Sequence, residues 1–438
     1  MSWAPTLLLI MGALLALMAI GLPIAFSFLA VNIVGAFFFW NGTAGLNQLV
    51  LSIYDSVTSF ALLPVPLFVL MGEVMFRSGI AGKMMDVLDS WMGRVPGRLS
   101  LMAVAGGTMF ATLTGSAMAG AAMLAALLVP EMQKRGYSKA MSLGPILGSG
   151  GLAIMIPPSA LAVLLAAIAN FSVGDFLVAI IVPGLLMAVS FAAYIVVRCA
   201  FNPSLAPRYD LPSVPLARRL RNTALYGLPL LVIVFLVVGL IFLGVATATE
   251  SAAAGALGCF VLAWAYGGLN WKMVKESLEA TLQVSVMMLM IITGSTAFSQ
   301  ILAFTGASSG LVQTVIAIPL SPLLVVAAMQ VVMLIMGCFM EPLSIMMLTI
   351  PIFFPIVTTL GFSPIWFGAI MLLNMEMATI TPPFGLVLFV VKGVAPRGTT
   401  LTDIYRAALP FIVCDGVVMA LLLTFPALIT WLPGLMGR

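Results

Sequence analysis

The sequence Gly-Ser-Gly-Gly-Leu-Ala-Ile-Met-Ile-Pro-Pro-Ser at residues 148–159 decides the fold, because a second apolar stretch is interrupted in the same way, by Asn-Met-Glu-Met-Ala-Thr-Ile-Thr-Pro-Pro-Phe-Gly at residues 374–385. Proline removes an amide donor and glycine loosens a helix, so each stretch is predicted to be a helix broken near its centre. Such a break frees carbonyl oxygens that suit a cation, and it leaves N–H groups at the start of the second half-helix that suit a carboxylate.

A single Pro-Pro pair would be explained more simply as an ordinary helix kink. Here the two pairs lie 225 positions apart, and the same spacing relates other punctuating residues: Pro130 with Pro355, Gly136 with Gly361, Ser138 with Ser363, and Leu161 with Leu386. The shared spacing predicts an internal repeat, and the duplication of the broken helix favours a binding site.

The basic residues predict that the two copies are inserted upside down relative to each other. Lys and Arg accumulate in cytoplasmic loops. The loop at 131–139 is basic, whereas its counterpart at 356–364 is uncharged. Further along, the basic residues are in the other copy: 166–175 lacks Lys and Arg, but its counterpart carries Lys392, Arg397 and Arg406. Inverted repeats of this kind are the architecture of many secondary transporters.

The repeat divides the chain into residues 1–197, a cytoplasmic linker at 198–221 that contains five arginines, and residues 222–438. The segment at about 99–130 is too short for the roughly 40 residues that two complete spans need, yet both flanks are basic, so it is predicted to be a re-entrant hairpin. Its counterpart lies at about 322–355, and the broken helices lie at about 140–165 and about 363–390. About five spans per copy place both termini in the periplasm. Mixed polar and apolar stretches at 43–59 and 270–283 are predicted to be amphipathic arms at the membrane surface.

The composition excludes a soluble enzyme. Of the 438 residues 63% are hydrophobic and only 7% are charged, which predicts an all-α polytopic membrane protein. Histidine is absent and the four cysteines are scattered, so neither a metal cluster nor an intramembrane enzyme is expected, and no basic stripe suggests nucleic-acid binding. A channel would need a continuous pore rather than sealed hairpins.

Non-helical backbone at membrane depth must face protein or a water-filled cavity, so the hairpin turns and broken helices are predicted to line one site. The candidate sodium or substrate ligands are Thr112, Thr114, Gly115, Ser116, Gly148, Ser149, Gly150, Gly151, Pro157, Pro158, Ser159, Gly337, Glu341, Asn374, Glu376, Thr379, Thr381, Pro382, Pro383 and Gly385. Residues 140–197 and 276–391 contain no Lys or Arg, so an anionic substrate would be held by amides, hydroxyls and a bound cation. Na⁺ is predicted near Ser149, Thr379, Thr381 and backbone carbonyls. Glu73 is predicted to pair with Arg77, and Asp415 has no assigned role.

Four motifs together resemble the large membrane subunit of TRAP (tripartite ATP-independent periplasmic) transporters, the DctM-like family, over essentially the whole chain. They are Thr114-Gly115-Ser116, Pro130-Glu131-Met132 with Lys134-Arg135-Gly136-Tyr137, Ile156-Pro157-Pro158-Ser159, and Thr381-Pro382-Pro383 with Gly385. The chain departs from the family at Ala117-Met118-Ala119, where relatives often carry more hydroxyls.

The resemblance implies an elevator-type transporter in the bacterial inner membrane, in which the hairpins and broken helices form the moving unit. A sodium gradient would drive uptake of an organic anion such as a carboxylate or sugar acid. No cofactor beyond Na⁺ as coupling ion is expected. The implied partners are a separate small four-span membrane subunit and a soluble periplasmic substrate-binding protein. The alternative is a stand-alone sodium-coupled dicarboxylate symporter of the divalent-anion type, which needs no binding protein.

Overall fold

The structure, a computed structural model, describes residues 3–93, 95–114, 117–207, 215–396 and 398–436, with the side chains of 81, 110–114 and 119 left out. These residues fold into helices. The first half of the chain contains α1 (Trp3–Ala19), α2 (Ile24–Phe39), α3 (Thr43–Val57), α4 (Pro64–Arg77), α5 (Ile80–Trp91), α6 (Arg98–Thr114), α7 (Ala117–Lys134), α8 (Lys139–Met155), α9 (Ala160–Ile168), α10 (Val173–Ala179) and α11 (Ile181–Phe201).

The second half contains α12 (Leu216–Asn222), α13 (Leu228–Val234), α14 (Leu240–Phe242), α15 (Ala248–Ala265), α16 (Trp271–Phe304), α17 (Ala307–Ala317), α18 (Pro322–Gly337), α19 (Pro342–Thr359), α20 (Pro364–Ile380), α21 (Leu386–Val394), α22 (Leu401–Thr424) and α23 (Ala427–Thr430). Two π-helical turns join α12, α13 and α14 into one span, Leu216–Phe242.

Among the described residues, seven helices are long and apolar enough to cross a membrane: Phe60–Arg77, Val173–Phe201, Leu216–Phe242, Ala248–Ala265, Trp271–Phe304, Pro342–Thr359 and Leu401–Thr424. The bent pair of α8 and α9 would be an eighth span, and further apolar helices have 10–17 residues. The prediction of an all-α polytopic membrane protein is therefore confirmed.

Helices end where the sequence predicted interruptions. In the first half, α6 and α7 pack against each other on either side of residues 115–116, and α8 and α9 meet at an angle of 42° around the first Pro-Pro pair. In the second half, α18 and α19 meet around residues 338–341, and α20 and α21 flank the second Pro-Pro pair. The division of the chain into inverted repeats stays a prediction.

The amphipathic arms differ between the two halves. Residues 43–57 form α3, which ends before the 3₁₀ turn Phe60–Leu62 and the start of α4 at Pro64. Pro64 and Pro66 lie in the first turn of α4, where a helix needs no amide donors, so they favour a new helix start at this point. The corresponding stretch of the second half has no proline, and it continues into its span as the single 34-residue helix α16.

Helices α8 and α20 form the centre of the molecule. Every residue of α8 from Met141 to Met155 is buried, as is every residue of α20 from Trp366 to Ile380. Helix α8 packs against α6, α7, α11, α20 and α22. Small residues allow this close packing, since a Cβ on Gly148 would lie only 2.6 Å from the Phe411 ring of α22.

Helix α16 contacts α2, α3 and α4 on one side and α19 on another. The Asn32 side chain of α2 donates a hydrogen bond to the Gly294 carbonyl of α16 at 2.7 Å, and the Ser295 hydroxyl donates to the Met347 carbonyl of α19 at 2.8 Å. Helix α16 thus connects the first-half helices to the second hairpin.

Arg77 links the two halves through a pair of carboxylates. Its guanidinium lies 3.0 Å from Glu73 of α4, which confirms the predicted pair, and 2.7 Å from Glu276 of α16. The Arg77 side chain is 29% exposed, so solvent weakens both ion pairs.

Replacing Arg77 with glutamine is expected to lower the free energy of unfolding by about 1 kcal/mol, because both ion pairs are lost at a partly exposed site. Thermal unfolding in lipid nanodiscs measures the change. The matched control is Lys275→Gln, which removes one exposed pair, 3.7 Å from Glu279; it should cost no more than about 0.5 kcal/mol. Equal effects of the two substitutions would contradict a linking role for Arg77.

Candidate functional site

A cavity of about 230 Å³ lies where both hairpins and both broken helices meet. Ala117 and Met118 at the start of α7 contribute from the first hairpin, and Glu341, Pro342 and Leu343 contribute from the second. The other lining residues come from the two broken helices and from α4 and α16: Val69, Glu73, Ile154, Ala160, Leu161, Val284, Met287, Met288, Thr379 and Leu386. The cavity thus lies between the elements that the sequence predicted to form a site.

The first break supplies a carbonyl that lacks its helical amide donor, and the start of a second half-helix. Ile154 is followed four positions later by Pro158, which has no N–H, so its carbonyl lacks the usual helical partner. That carbonyl accepts a hydrogen bond from the Ser159 hydroxyl at 2.8 Å, and the Ser159 oxygen also accepts one from the Ala162 N–H at the start of α9. A carbonyl oxygen has two lone pairs, so it keeps one for a further ligand.

The second break, 225 positions later, lacks an amide donor at the corresponding place. Thr379 is followed four positions later by Pro383, which has no N–H, so the Thr379 carbonyl likewise lacks its helical donor. The Thr379 hydroxyl donates to the Glu376 carbonyl at 2.8 Å, and the Thr381 hydroxyl donates to the Met377 carbonyl at 2.6 Å. Both hydroxyl oxygens retain lone pairs that a cation accepts. The Pro-Pro peptide bond is cis in both breaks.

Gly385 is required by close packing at the second break. A Cβ at this position would lie 2.6 Å from the Thr379 carbonyl oxygen and 2.9 Å from the Thr381 carbonyl oxygen. Only glycine leaves room for the two carbonyls to approach the start of α21. Gly385, which was predicted as a candidate ligand residue, therefore packs beside the two carbonyl oxygens of Thr379 and Thr381.

The tip of the second hairpin packs against the second break. A Cβ on Gly337 would lie 2.2 Å from the Ala378 Cβ, and the Cys338 thiol contacts the Pro382 carbonyl at 3.5 Å. Glu341 precedes α19, and its carboxylate accepts a hydrogen bond from Ser344 at 3.3 Å. The structure thus brings Gly337 and Glu341 to the end of α20.

The glycine-rich stretch of α8 serves helix packing. Gly148 faces Phe411, Gly150 faces Ala121 and Gly151 faces the Glu376 carboxylate. Ser149 packs against Gly107 of α6 and does not line the cavity, although it was predicted to lie near Na⁺. Its hydroxyl donates weakly to the Ile146 carbonyl at 3.5 Å.

Asn374 is also not among the residues that line the cavity. Its amide donates to the Gln330 carbonyl of α18 at 2.7 Å and contacts the Gln330 side chain at 3.1 Å. Of the predicted site residues in the described chain, Glu341 and Thr379 line the cavity itself. Gly115 and Ser116 lie outside the described residues, as do the side chains of Thr112 and Thr114 at the end of α6.

The described lining of the cavity carries two carboxylates, Glu73 and Glu341, and neither lysine nor arginine. Arg77 neutralises Glu73 from outside the lining. An anionic ligand here would therefore meet negative charge unless a cation were bound beside it. Ile154 was not among the candidate ligands predicted from the sequence, although the 225-residue spacing aligns it with Thr379.

Comparisons with known proteins show the family to which the chain belongs. The model of the family described as tripartite ATP-independent periplasmic transporter, DctM component, matches residues 11–428. The chain is 34% identical over 397 residues to the C4-dicarboxylate TRAP transporter large permease protein DctM of Pseudomonas aeruginosa, which covers 90% of each chain. It is 29% identical over 423 residues to the sialic acid TRAP transporter large permease protein SiaM of Vibrio cholerae, which covers 96% of this chain and 97% of that one.

Solved structures share the fold. The structure of the Alcanivorax borkumensis YdaH transporter superposes with a TM-score of 0.64 at 16% identity, over 87% of this chain and 89% of that one. At this level of identity the likeness concerns the fold alone.

Proposed function

Because the chain belongs to the DctM component family of tripartite ATP-independent periplasmic transporters, of which it is a large permease subunit, we propose that it uses a sodium gradient to take up an organic anion. The family consists of transporters, so the chain is a membrane transport protein and not an enzyme. We propose a carboxylate or sugar acid as substrate, in keeping with the dicarboxylate and sialic acid permeases among its relatives.

The observation that carries sodium coupling is that Ile154 and Thr379 line one cavity, and that a proline four positions after each of them leaves its carbonyl without the usual helical donor. Carbonyl and hydroxyl oxygens are ligands that hard cations accept. A bound Na⁺ would also offset the negative charge of Glu341 when an anion enters. We propose Thr379 and Thr381 as side-chain contributors to this sodium site.

The proposed mechanism is an elevator. The two hairpins and broken helices share the cavity and pack together around α8 and α20, so they can move as one unit against α4 and α16. The proposed partners are a small four-span membrane subunit and a periplasmic binding protein that delivers the substrate. We place the chain in the bacterial inner membrane with both termini in the periplasm.

The test is uptake into proteoliposomes that contain this chain and its small subunit, with an inward Na⁺ gradient, across a panel of dicarboxylates and sugar acids. Accumulation should require both Na⁺ and the binding protein. Uptake that persists when choline replaces Na⁺ would refute sodium coupling. Uptake with Na⁺ but without any binding protein would favour a stand-alone symporter of the divalent-anion type.

A further inference from the structure

Two acidic side chains are completely buried, Glu376 in the C-terminal part of α20 and Asp415 near the middle of α22. Neither carboxylate accepts a hydrogen bond from the described residues. Burying an unpaired carboxylate away from water is strongly unfavourable, so acids at membrane depth are normally paired or belong to an ion pathway. Neither of these residues lines the cavity between the hairpin tips.

The two carboxylates face the same seam. Helices α8 and α22 run parallel, because Lys139 of α8 pairs with Asp403 at 2.8 Å and Gly148 lies against Phe411. Asp415 lies one turn beyond Phe411, and Gly151 lies about one turn beyond Gly148.

Gly151 is the residue against which the Glu376 carboxylate lies, since a Cβ there would be 2.1 Å from Glu376 Oε1. On the other side of the seam, the Trp366 indole of α20 donates to the Leu422 carbonyl of α22, so these two helices also pack against each other. Asp415 is close enough for its charge to act on the Glu376 carboxyl.

Basic side chains on the three helices are too distant to neutralise this pair. Lys139 is the first residue of α8, about 18 Å along the helix from Gly151, and it is already paired with Asp403. Arg406 lies nine residues before Asp415 on α22, about 13 Å along the helix. The three helices that form the seam therefore supply four carboxylate oxygens and no basic side chain beside them.

We propose that Glu376 and Asp415 together bind Na⁺ in the seam between α8, α20 and α22, at a site separate from the cavity. A monovalent ion fits better than a divalent one, because Ca²⁺ takes six to eight oxygen ligands and Mg²⁺ retains several waters, whereas this buried seam offers four oxygens. The proposal extends the proposed sodium coupling, since it supplies an ion site on the helices that would move. The experiment below measures Na⁺ binding itself and does not depend on transport.

The test measures thermal unfolding of the full chain in lipid nanodiscs as NaCl replaces choline chloride. Na⁺ should raise the unfolding temperature of the wild type, since a ligand that binds only the folded state stabilises it. In Asp415→Asn and Glu376→Gln, the Na⁺ concentration for half the effect should rise at least about tenfold, the equivalent of about 1.4 kcal/mol of binding energy. Without Na⁺ each variant should unfold at a higher temperature than the wild type, because it buries one unpaired carboxylate instead of two.

Glu279→Gln is the matched control, because it removes an exposed carboxylate from α16 and should leave the Na⁺ response unchanged. The proposal is overturned if both seam variants respond to Na⁺ like the wild type. It is also overturned if the wild type responds to Ca²⁺, Mg²⁺ or protons but not to Na⁺. A failure of Na⁺-driven uptake with normal Na⁺ binding would instead refute the proposed function and leave this site standing.

Discussion

Replacing Gly151 with alanine is expected to lower uptake at least about tenfold and the free energy of unfolding by about 1–3 kcal/mol. The added Cβ would lie 2.1 Å from Glu376 Oε1 and 2.4 Å from Glu376 Cγ, so α8 and α20 must separate or the Glu376 side chain must move. The side chain has little room to move because it is completely buried. Uptake in proteoliposomes and thermal unfolding in nanodiscs measure the two effects.

Gly416→Ala is the matched control, since Gly416 lies in the neighbouring helix α22 and a Cβ added there would have no heavy atom within 4 Å. It should transport normally and gain slightly in stability, because alanine favours a helix over glycine by about 1 kcal/mol. Glu376→Asp, whose carboxylate is shorter by one methylene, should restore part of the stability of Gly151→Ala in the double variant. If Gly151→Ala matches the wild type in both assays, the α8–α20 contact is wrong.

The local breaks of this fold could be predicted from the sequence because their causes are local. Pro157-Pro158 and Pro382-Pro383 lack the N–H groups that a helix needs, and the structure ends α8 and α20 just before them. Within the hairpin predicted at about 322–355, α18 ends at Gly337 and α19 begins at Pro342. These helix breaks could therefore be predicted without any knowledge of tertiary contacts.

The direction in which side chains face could not be predicted in the same way. Ser149 and Gly151 are two positions apart, yet Ser149 packs against α6 and Gly151 against α20. That choice depends on how helices from opposite halves of the chain are arranged around α8, which no local pattern specifies. Asp415 and Glu376 were both visible in the sequence as acids within apolar helices. That the two are neighbours became known only from the packing of α22 against α8 and α20.

Linking α16 to the second hairpin is expected to stop transport altogether. The Ser295 hydroxyl of α16 donates to the Met347 carbonyl of α19 at 2.8 Å, so cysteines at these two positions should be joined by Hg²⁺ or a short bifunctional thiol reagent. The four native cysteines would first be replaced. An elevator requires the hairpin to slide past α16, so the linked protein should lose at least about nine-tenths of its uptake and recover it when a thiol such as dithiothreitol removes the Hg²⁺.

A second pair of cysteines is the control, because it tests whether any cross-link stops transport simply by making the protein more rigid. Ser100 of α6 donates to the Met141 carbonyl of α8 at 2.6 Å, and both residues belong to the unit that is proposed to move. Linking Ser100→Cys to Met141→Cys should therefore leave most of the uptake intact. If linking within the moving unit and linking between α16 and α19 had the same effect, the boundary between moving and fixed helices would be misplaced. Full uptake with α16 and α19 linked would rule out the elevator, because the second hairpin could not then have moved past α16.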